Sequence, residues 1–184
     1  MATTSLATTR FTDATWQENC AFRTTSCKSL GCIYATPFLL DARVGKRSRV
    51  YVIEMNNSQN QILGIGLVRN FPSTQKYRVY SNEDYNRYVF LGKYRLDRSQ
   101  ITDETLLNKL EAFCFHGRGH QKRLRGITRI SAQKWLEWGQ ENWCMMGFDV
   151  GHVPNIVYMI DRMFCAHFQL CPMADQDDSG EIHW

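Results

Sequence analysis

Two apolar runs decide the fold, Val50-Tyr51-Val52-Ile53-Glu54-Met55 and Gln61-Ile62-Leu63-Gly64-Ile65-Gly66-Leu67-Val68. Both are rich in β-branched and aromatic residues, which favour buried strands. The residues between them, 56–60, are polar turn formers, so the two runs are predicted to form a β-hairpin. Two glycines in the second run predict a bulge or a sharp coil, which bends a sheet toward a barrel.

Further strands and helices are predicted on both sides of this hairpin. Strands are expected at 33–35, 76–80, 87–95 and 126–130, helices at 16–22, 102–115 and 131–142, and either a helix or a long strand at 156–168. The helix at 102–115 has the clearest pattern, because its leucines and Phe113 recur at helical spacing. The fold class is therefore α+β, with a small, strongly bent antiparallel sheet or barrel flanked by helices.

The chain has 184 residues, which fits one domain. We expect a flexible N-terminal lead at 1–12, a single domain at 13–174 and an acidic mobile tail at 175–184. Hydrophobic residues make up 43% of the chain and charged residues 22%, which is a globular composition.

Several features bear on the compartment. The sequence contains neither an apolar run long enough to span a membrane nor a hydrophobic leader at its start. Seven cysteines, an odd number, argue against a disulfide framework. The expected location is therefore the cytoplasm or nucleus, with no membrane partner.

The positive charge is concentrated in one part of the chain. Residues 43–129 hold seventeen Lys or Arg and seven Asp or Glu, a formal +10, although the net charge of the whole chain is +4. Such a concentration of cations favours binding of phosphate, and interleaved aromatic rings are able to stack on bases.

Two segments of this region are candidate contact surfaces. The basic loop (residues 116–126) combines cations with glycines that let the backbone approach an anion. It lacks the spacing of a Walker A loop, so nucleotide hydrolysis is not indicated. The tyrosine–arginine segment (residues 76–98) alternates rings with cations. The alternative interpretations are a solvated loop and an ordinary strand with its tyrosines facing inward.

Cysteine, histidine and tryptophan offer alternative chemistry. Two clusters, Cys20, Cys27 and Cys32, and Cys165, His167 and Cys171, lack the tight spacing of a zinc site, so core thiols are favoured over a metal. Cys114, followed by His116 and His120, allows a Cys/His hydrolase as a third hypothesis. Trp135, Trp138 and Trp143 are expected to pack a helix, with an aromatic cage as the alternative. Glu54 is expected to pair with a neighbouring arginine.

Part of the chain resembles a known fold family. The hairpin at 50–69, with the preceding Leu40-Asp41-Ala42-Arg43-Val44-Gly45, is similar to the central hairpin of PUA-like barrels, which include the YTH and EVE domains. This resemblance implies a small barrel that binds RNA or modified bases.

A longer stretch, 16–128, resembles an uncharacterised family of large double-stranded DNA viruses of eukaryotes. The resemblance is carried by residues 16–19, 32–34, 52–57, 64–67, 85–88, 92–98 and 126–128. It implies a host-cell or virion location but no biochemical activity.

The favoured function is non-enzymatic binding of RNA or DNA, without cofactor or metal. The candidate contact residues are Arg78, Tyr85, Arg87, Tyr88, Lys93, Arg95, Arg98, His116, Arg118, His120, Lys122, Arg123 and Arg125. The alternative is a viral structural or interaction protein whose basic face meets an acidic protein partner. The oligomeric state is not indicated by the sequence.

Overall fold

The computed structural model describes residues 4–26, 30–142 and 155–170. In chain order its elements are β1 Ser5–Phe11, α1 Asp13–Ser26, β2 Cys32–Thr36, β3 Arg49–Asn56, β4 Gln61–Arg69, β5 Tyr88–Gly92, β6 Tyr94–Asp97, α2 Glu104–Phe115, β7 Thr128–Ile130, α3 Ala132–Asn142 and α4 Ile156–Phe168. Single 3₁₀ turns occupy Glu83–Asn86, Arg98–Gln100 and Gln121–Arg123. The predicted α+β class is confirmed.

The predicted hairpin forms the middle of the structure. β3 and β4 pair antiparallel from Arg49 opposite Arg69 to Asn56 opposite Gln61. Their register shifts between Glu54 and Met55, so that β4 carries one extra residue there. This is the bulge that the glycines of β4 predict.

The main sheet is mixed and open, so the predicted antiparallel sheet or PUA-like barrel is wrong. Its strand order is β6-β4-β3-β1-β7, with β6 and β7 at opposite edges, and β2 and β5 form a separate two-stranded sheet. β1 runs parallel to β3, while the other neighbouring pairs are antiparallel. A parallel neighbour requires a crossover, which α1 and β2 supply.

The predicted flexible lead at 1–12 is also wrong, because most of it is a central strand. Ala7 of β1 lies opposite Val52 of β3 on one side and opposite Arg129 of β7 on the other. The neighbouring Thr8 is completely buried. A threonine-rich strand covered on both faces resembles a loop in composition, which explains the error. The predicted acidic tail at 175–184 lies outside the described residues.

Two hydrophobic cores cover the two faces of the main sheet. One contains Tyr51 and Ile53 of β3 together with the apolar faces of α2, α3 and α4. The other contains Val50 and Val52 and is closed by β2, β5 and partly buried side chains of α1. The sheet therefore lies between a helical layer and a thinner layer made of α1 and the β2–β5 pair.

Some of the individually predicted helices and strands form, and others do not. The element at 156–168 is a helix, and the helix predicted at 16–22 extends over Asp13–Ser26. No strand forms at 76–80, and the strand predicted at 87–95 divides at Lys93 into β5 and β6, which belong to different sheets. None of the helices in the described ranges has the length and apolarity needed to span a bilayer.

Candidate functional site

A cleft of about 210 Å³ opens where β1 ends and α1 begins. Its walls come from three parts of the chain: the end of β1 with the start of α1, the tyrosines near the Glu83–Asn86 turn, and the basic loop. The lining residues are Thr9, Arg10, Phe11, Thr12, Thr15, Ala35, Asn57, Tyr80, Tyr85, Lys122, Leu124, Arg125 and Gly126. The structure thus brings Tyr85 of the tyrosine–arginine segment together with two cations of the basic loop, whereas no cation of that segment lines the cleft.

Arg10 connects β1 with the basic loop. Its guanidinium donates to the carbonyl oxygens of Gln121 (3.1 Å) and Gly126 (2.6 Å) and to the hydroxyl of Thr128 (3.1 Å). Burial lowers the pKa of Arg10 to about 10, so the group stays cationic at neutral pH. Arg10 therefore fixes the loop and adds a charge to the cleft.

The loop is also anchored from within. Gln121 is buried; its amide donates to the Gly119 carbonyl (2.7 Å) and its side-chain oxygen accepts from Lys134 Nζ (3.1 Å). Asn57 donates to the Lys122 carbonyl (3.0 Å). These contacts hold the backbone, so the loop presents its cations from a fixed frame.

The cations of the loop have no carboxylate partner in the part of the chain that the structure describes. No ion pair among the described residues involves Arg10, Arg118, Lys122, Arg123 or Arg125. Lys122 donates to the side-chain oxygen of Asn60 (2.7 Å), which is uncharged. The loop histidines predicted as contacts are exposed or half-buried: His116 ends α2, and the His120 ring accepts from the Lys122 backbone N–H (3.3 Å).

Apolar surface lies beside these charges. Tyr85 is 36% exposed and stands edge-on to the buried Tyr80, with ring centroids 6.3 Å apart. Asn86 holds this turn, because its side-chain oxygen accepts from the backbone N–H groups of Val79 (2.9 Å) and Tyr80 (3.0 Å). Leu124 of the basic loop is 38% exposed. The cleft therefore has rings and an aliphatic side chain next to its cations.

Lys93 and Tyr88 do not line the cleft. Tyr88 lies opposite Thr36 near the basic loop, but it is half-buried against the core. Lys93 follows Gly92, which lies opposite Cys32 at the other end of the β2–β5 pair. Four residue-to-residue steps along β5 separate Tyr88 from Gly92, a distance of about 13 Å.

Arg95 is not a surface contact, which corrects its prediction as a site residue. Its side chain is 5% exposed and pairs with Glu54 at 2.7 Å and with Asp97. A buried carboxylate requires a cation, and Tyr34 adds a hydrogen bond to Glu54 of 2.7 Å. The predicted ion pair of Glu54 with a neighbouring arginine is confirmed.

The other predicted arginines of the tyrosine–arginine segment are paired with carboxylates. Arg98 pairs with Glu111 of α2, at the opposite side of the main sheet from β7. Arg78 lies 3.4 Å from Glu83, and Arg87 lies 4.0 Å from Asp84. Both of these pairs are exposed, so they are weak. Only some of the cations therefore lie close together. The basic loop and Arg10 form one group, and Lys93, Arg95 and Arg98 lie elsewhere.

Some of the residues considered for alternative chemistry lie in the core, whereas Cys20 and Cys165 are partly exposed. Cys114 is completely buried, and burial raises the pKa of its thiol. Trp135 and Trp138 pack against Phe113 at centroid distances of 5.2 and 5.4 Å, as predicted for core residues. Within the described ranges no group of three or more His, Cys, Asp or Glu is arranged to hold a metal ion. Cys27, Trp143 and Cys171 lie outside those ranges.

Several residues of the cleft were not predicted from the sequence, namely Arg10, Leu124 and the threonines. Arg10 follows Thr8 and Thr9, and its neighbours across the sheet are distant in sequence. The β-branched run before Arg10 is the one local signal that it belongs to a strand. No family model, curated protein or solved structure matches this chain.

Proposed function

We propose that the chain is a non-enzymatic nucleic-acid-binding module whose cleft contacts the phosphate backbone of RNA or DNA. The observation that carries this function is the group of five cations on and beside the basic loop that have no carboxylate partner in the described part of the chain. Phosphates attract such cations, and binding is strengthened by the release of counterions.

The start of α1 at the cleft supports an anionic ligand. Thr12 and Thr15 lie at the start of α1, and both line the cleft. The N-terminus of a helix carries a partial positive charge, which favours an anion. Asp13, the carboxylate at this helix start, accepts hydrogen bonds from Asn56 (2.7 Å) and Gln59 (2.9 Å). These bonds disperse its charge.

Charge reversal tests the proposal. We expect Lys122→Glu with Arg125→Glu to weaken binding of a labelled mixed-sequence oligonucleotide at least tenfold at about 0.1 M salt, because two cations of the cleft become anions. Fluorescence anisotropy measures the Kd. The matched control is Lys46→Glu with Lys93→Glu, which changes the net charge equally at exposed positions before β3 and after β5.

Two outcomes contradict the proposal. Equal weakening in the control pair means that binding is a property of the net charge and not of the cleft. In the second outcome, polyglutamate displaces the oligonucleotide at low concentrations at which heparin does not. This result favours an acidic protein partner over a nucleic acid.

A further inference from the structure

The shape of the cleft bears on the strandedness of its ligand. If the proposed function holds, we infer that the cleft takes one unpaired nucleotide of a single strand. Its base would contact Tyr85 and Leu124, and its phosphate would lie at Lys122 and Arg125.

The size of the cleft disfavours a duplex. The cleft is a concave space of about 210 Å³, and Arg10 and Lys122 on its walls are half-buried. A duplex keeps its bases paired and stacked inside, so it is able to touch the rim of so small a cleft but not to place a base in it. Its phosphates would meet the exposed Arg118, Arg123 and Arg125 but not the interior of the cleft. A single strand is able to turn a nucleotide into the cleft.

The apolar surface of the cleft favours an unpaired base. Tyr85 and Leu124 come from different walls, each with more than a third of its surface exposed. Phosphate contacts alone would leave both side chains in water. An unstacked base covers them and gains the stacking energy that single-strand binding proteins use. Exposed rings beside unneutralised cations therefore favour an unpaired base over a bare polyanion.

The cleft has few polar groups that could distinguish one base from another. The Thr12 and Thr15 hydroxyls lie 3.2 Å apart, and the Asn57 amide donates to the Lys122 carbonyl, whereas the Asn57 side-chain oxygen has no hydrogen-bond partner among the described residues. A single acceptor of this kind distinguishes the edges of the bases only weakly. We therefore expect a preference for unpaired bases but little preference among the four bases.

Three ligands of equal strand length separate the possibilities. Anisotropy is measured with a single strand, the same strand in a duplex, and an abasic strand of the same length. We expect the single strand to bind about tenfold more tightly than either of the others, because only it offers a base for stacking. Equal affinity for the single and abasic strands overturns the inference but leaves the proposed function standing. Absence of binding to all three overturns both.

Variants of the walls provide the second readout. We expect Tyr85→Ala and Leu124→Ala to remove most of the preference for the single strand over the abasic strand while leaving duplex binding unchanged. Tyr85→Phe should retain the preference, because the ring is kept. Tyr158→Ala is the matched control, since Tyr158 is 51% exposed on α4. An equal loss of affinity for all three ligands in Tyr85→Ala, with an unchanged thermal midpoint, contradicts a role in stacking.

Discussion

At the residue scale, the buried pair of Glu54 and Arg95 shows how the interior accommodates charge. The two side chains are 1% and 5% exposed, and the Arg95 guanidinium also lies over the Trp16 ring at 5.2 Å. Arg23 lies over the same ring at 5.1 Å. The pair thus links β3 to β6 and to α1, which borders the cleft.

Removing the Glu54 carboxylate should destabilise the fold. In Glu54→Gln the buried guanidinium keeps the exposed Asp97 as a partner but loses its buried carboxylate, so we expect the free energy of unfolding to fall by about 3 kcal/mol. Urea denaturation measures the change. The control is Asp84→Asn, because the pair of Asp84 with Arg87 is exposed and its loss should leave the midpoint almost unchanged. Similar midpoints for the two variants would show that the buried pair contributes no more than a surface one.

Thiol reactivity is a second residue-scale test. Burial raises the pKa of Cys32 to about 12 and raises that of Cys114 as well. A raised thiol pKa favours the neutral form, so neither group provides thiolate at pH 8. We expect iodoacetamide to label Cys20 and Cys165, which are partly exposed, before these two. Mass spectrometry of the labelled peptides checks the order. Rapid labelling of Cys114 in the folded protein would support the hypothesis of a Cys/His hydrolase.

At the element scale, the basic loop depends on its glycines. Gly126 has a φ of 65°, and a Cβ there would overlap the Thr36 hydroxyl. Gly119 has a φ of 79°, but a Cβ there would meet no atom within 4 Å. A side chain at Gly119 would therefore cause backbone strain alone, whereas one at Gly126 would also displace neighbouring atoms.

Alanine substitutions at these glycines should differ in their effect on binding. Each introduces strain of roughly 1–2 kcal/mol from the left-handed backbone. Only Gly126→Ala must also displace the loop from Thr36 and disturb the Arg10 bond to the Gly126 carbonyl. We expect it to weaken oligonucleotide binding severalfold more than Gly119→Ala does, as measured by anisotropy. Equal effects would indicate that the position of this loop end is unimportant for binding.

Elements with a local signal were predicted, and those defined by distant neighbours were not. The β3–β4 hairpin and α2 follow from apolar patterns within the segments themselves. β1 is a strand because β3 and β7 pair with it on both sides, and its sequence carries only a weak signal. Likewise, no local pattern shows that the chain moves from one sheet to the other at Lys93.

The same contrast applies to the cleft. The basic loop and Tyr85 were predicted from composition, which identifies cations and rings but not their partners. Arg95 has the same local context as the exposed Lys93, yet it is buried, because its partner Glu54 lies on a strand 41 residues earlier. Arg10 was missed for the converse reason, since the loop that it holds is more than one hundred residues away in sequence.

At the scale of the whole molecule, the charge asymmetry of the sequence is reduced by the fold. Arg43, Arg78, Arg87, Arg95 and Arg98 each have a carboxylate within 4 Å. In the described part of the chain, the cations of the basic loop and Arg10 have no such partner, and the same is true of Lys46, Lys93 and Arg129, which do not line the cleft. Electrostatic binding at this surface should therefore reflect about five cations and not the formal charge of the whole basic region.

The salt dependence of binding tests this count. For a single strand, the logarithm of the binding constant falls with the logarithm of salt concentration at about 0.7 per phosphate neutralised, so five contacts predict a slope of about −3.5. Lys122→Glu with Arg125→Glu should reduce the steepness by at least about 1.4, because two of these contacts are lost. Lys46→Glu with Lys93→Glu should leave the slope near that of the natural protein. The unsubstituted protein could instead give a much steeper slope, reduced equally by the two double variants. That result would show that the cations act together through the net charge and that the cleft has no special part in binding.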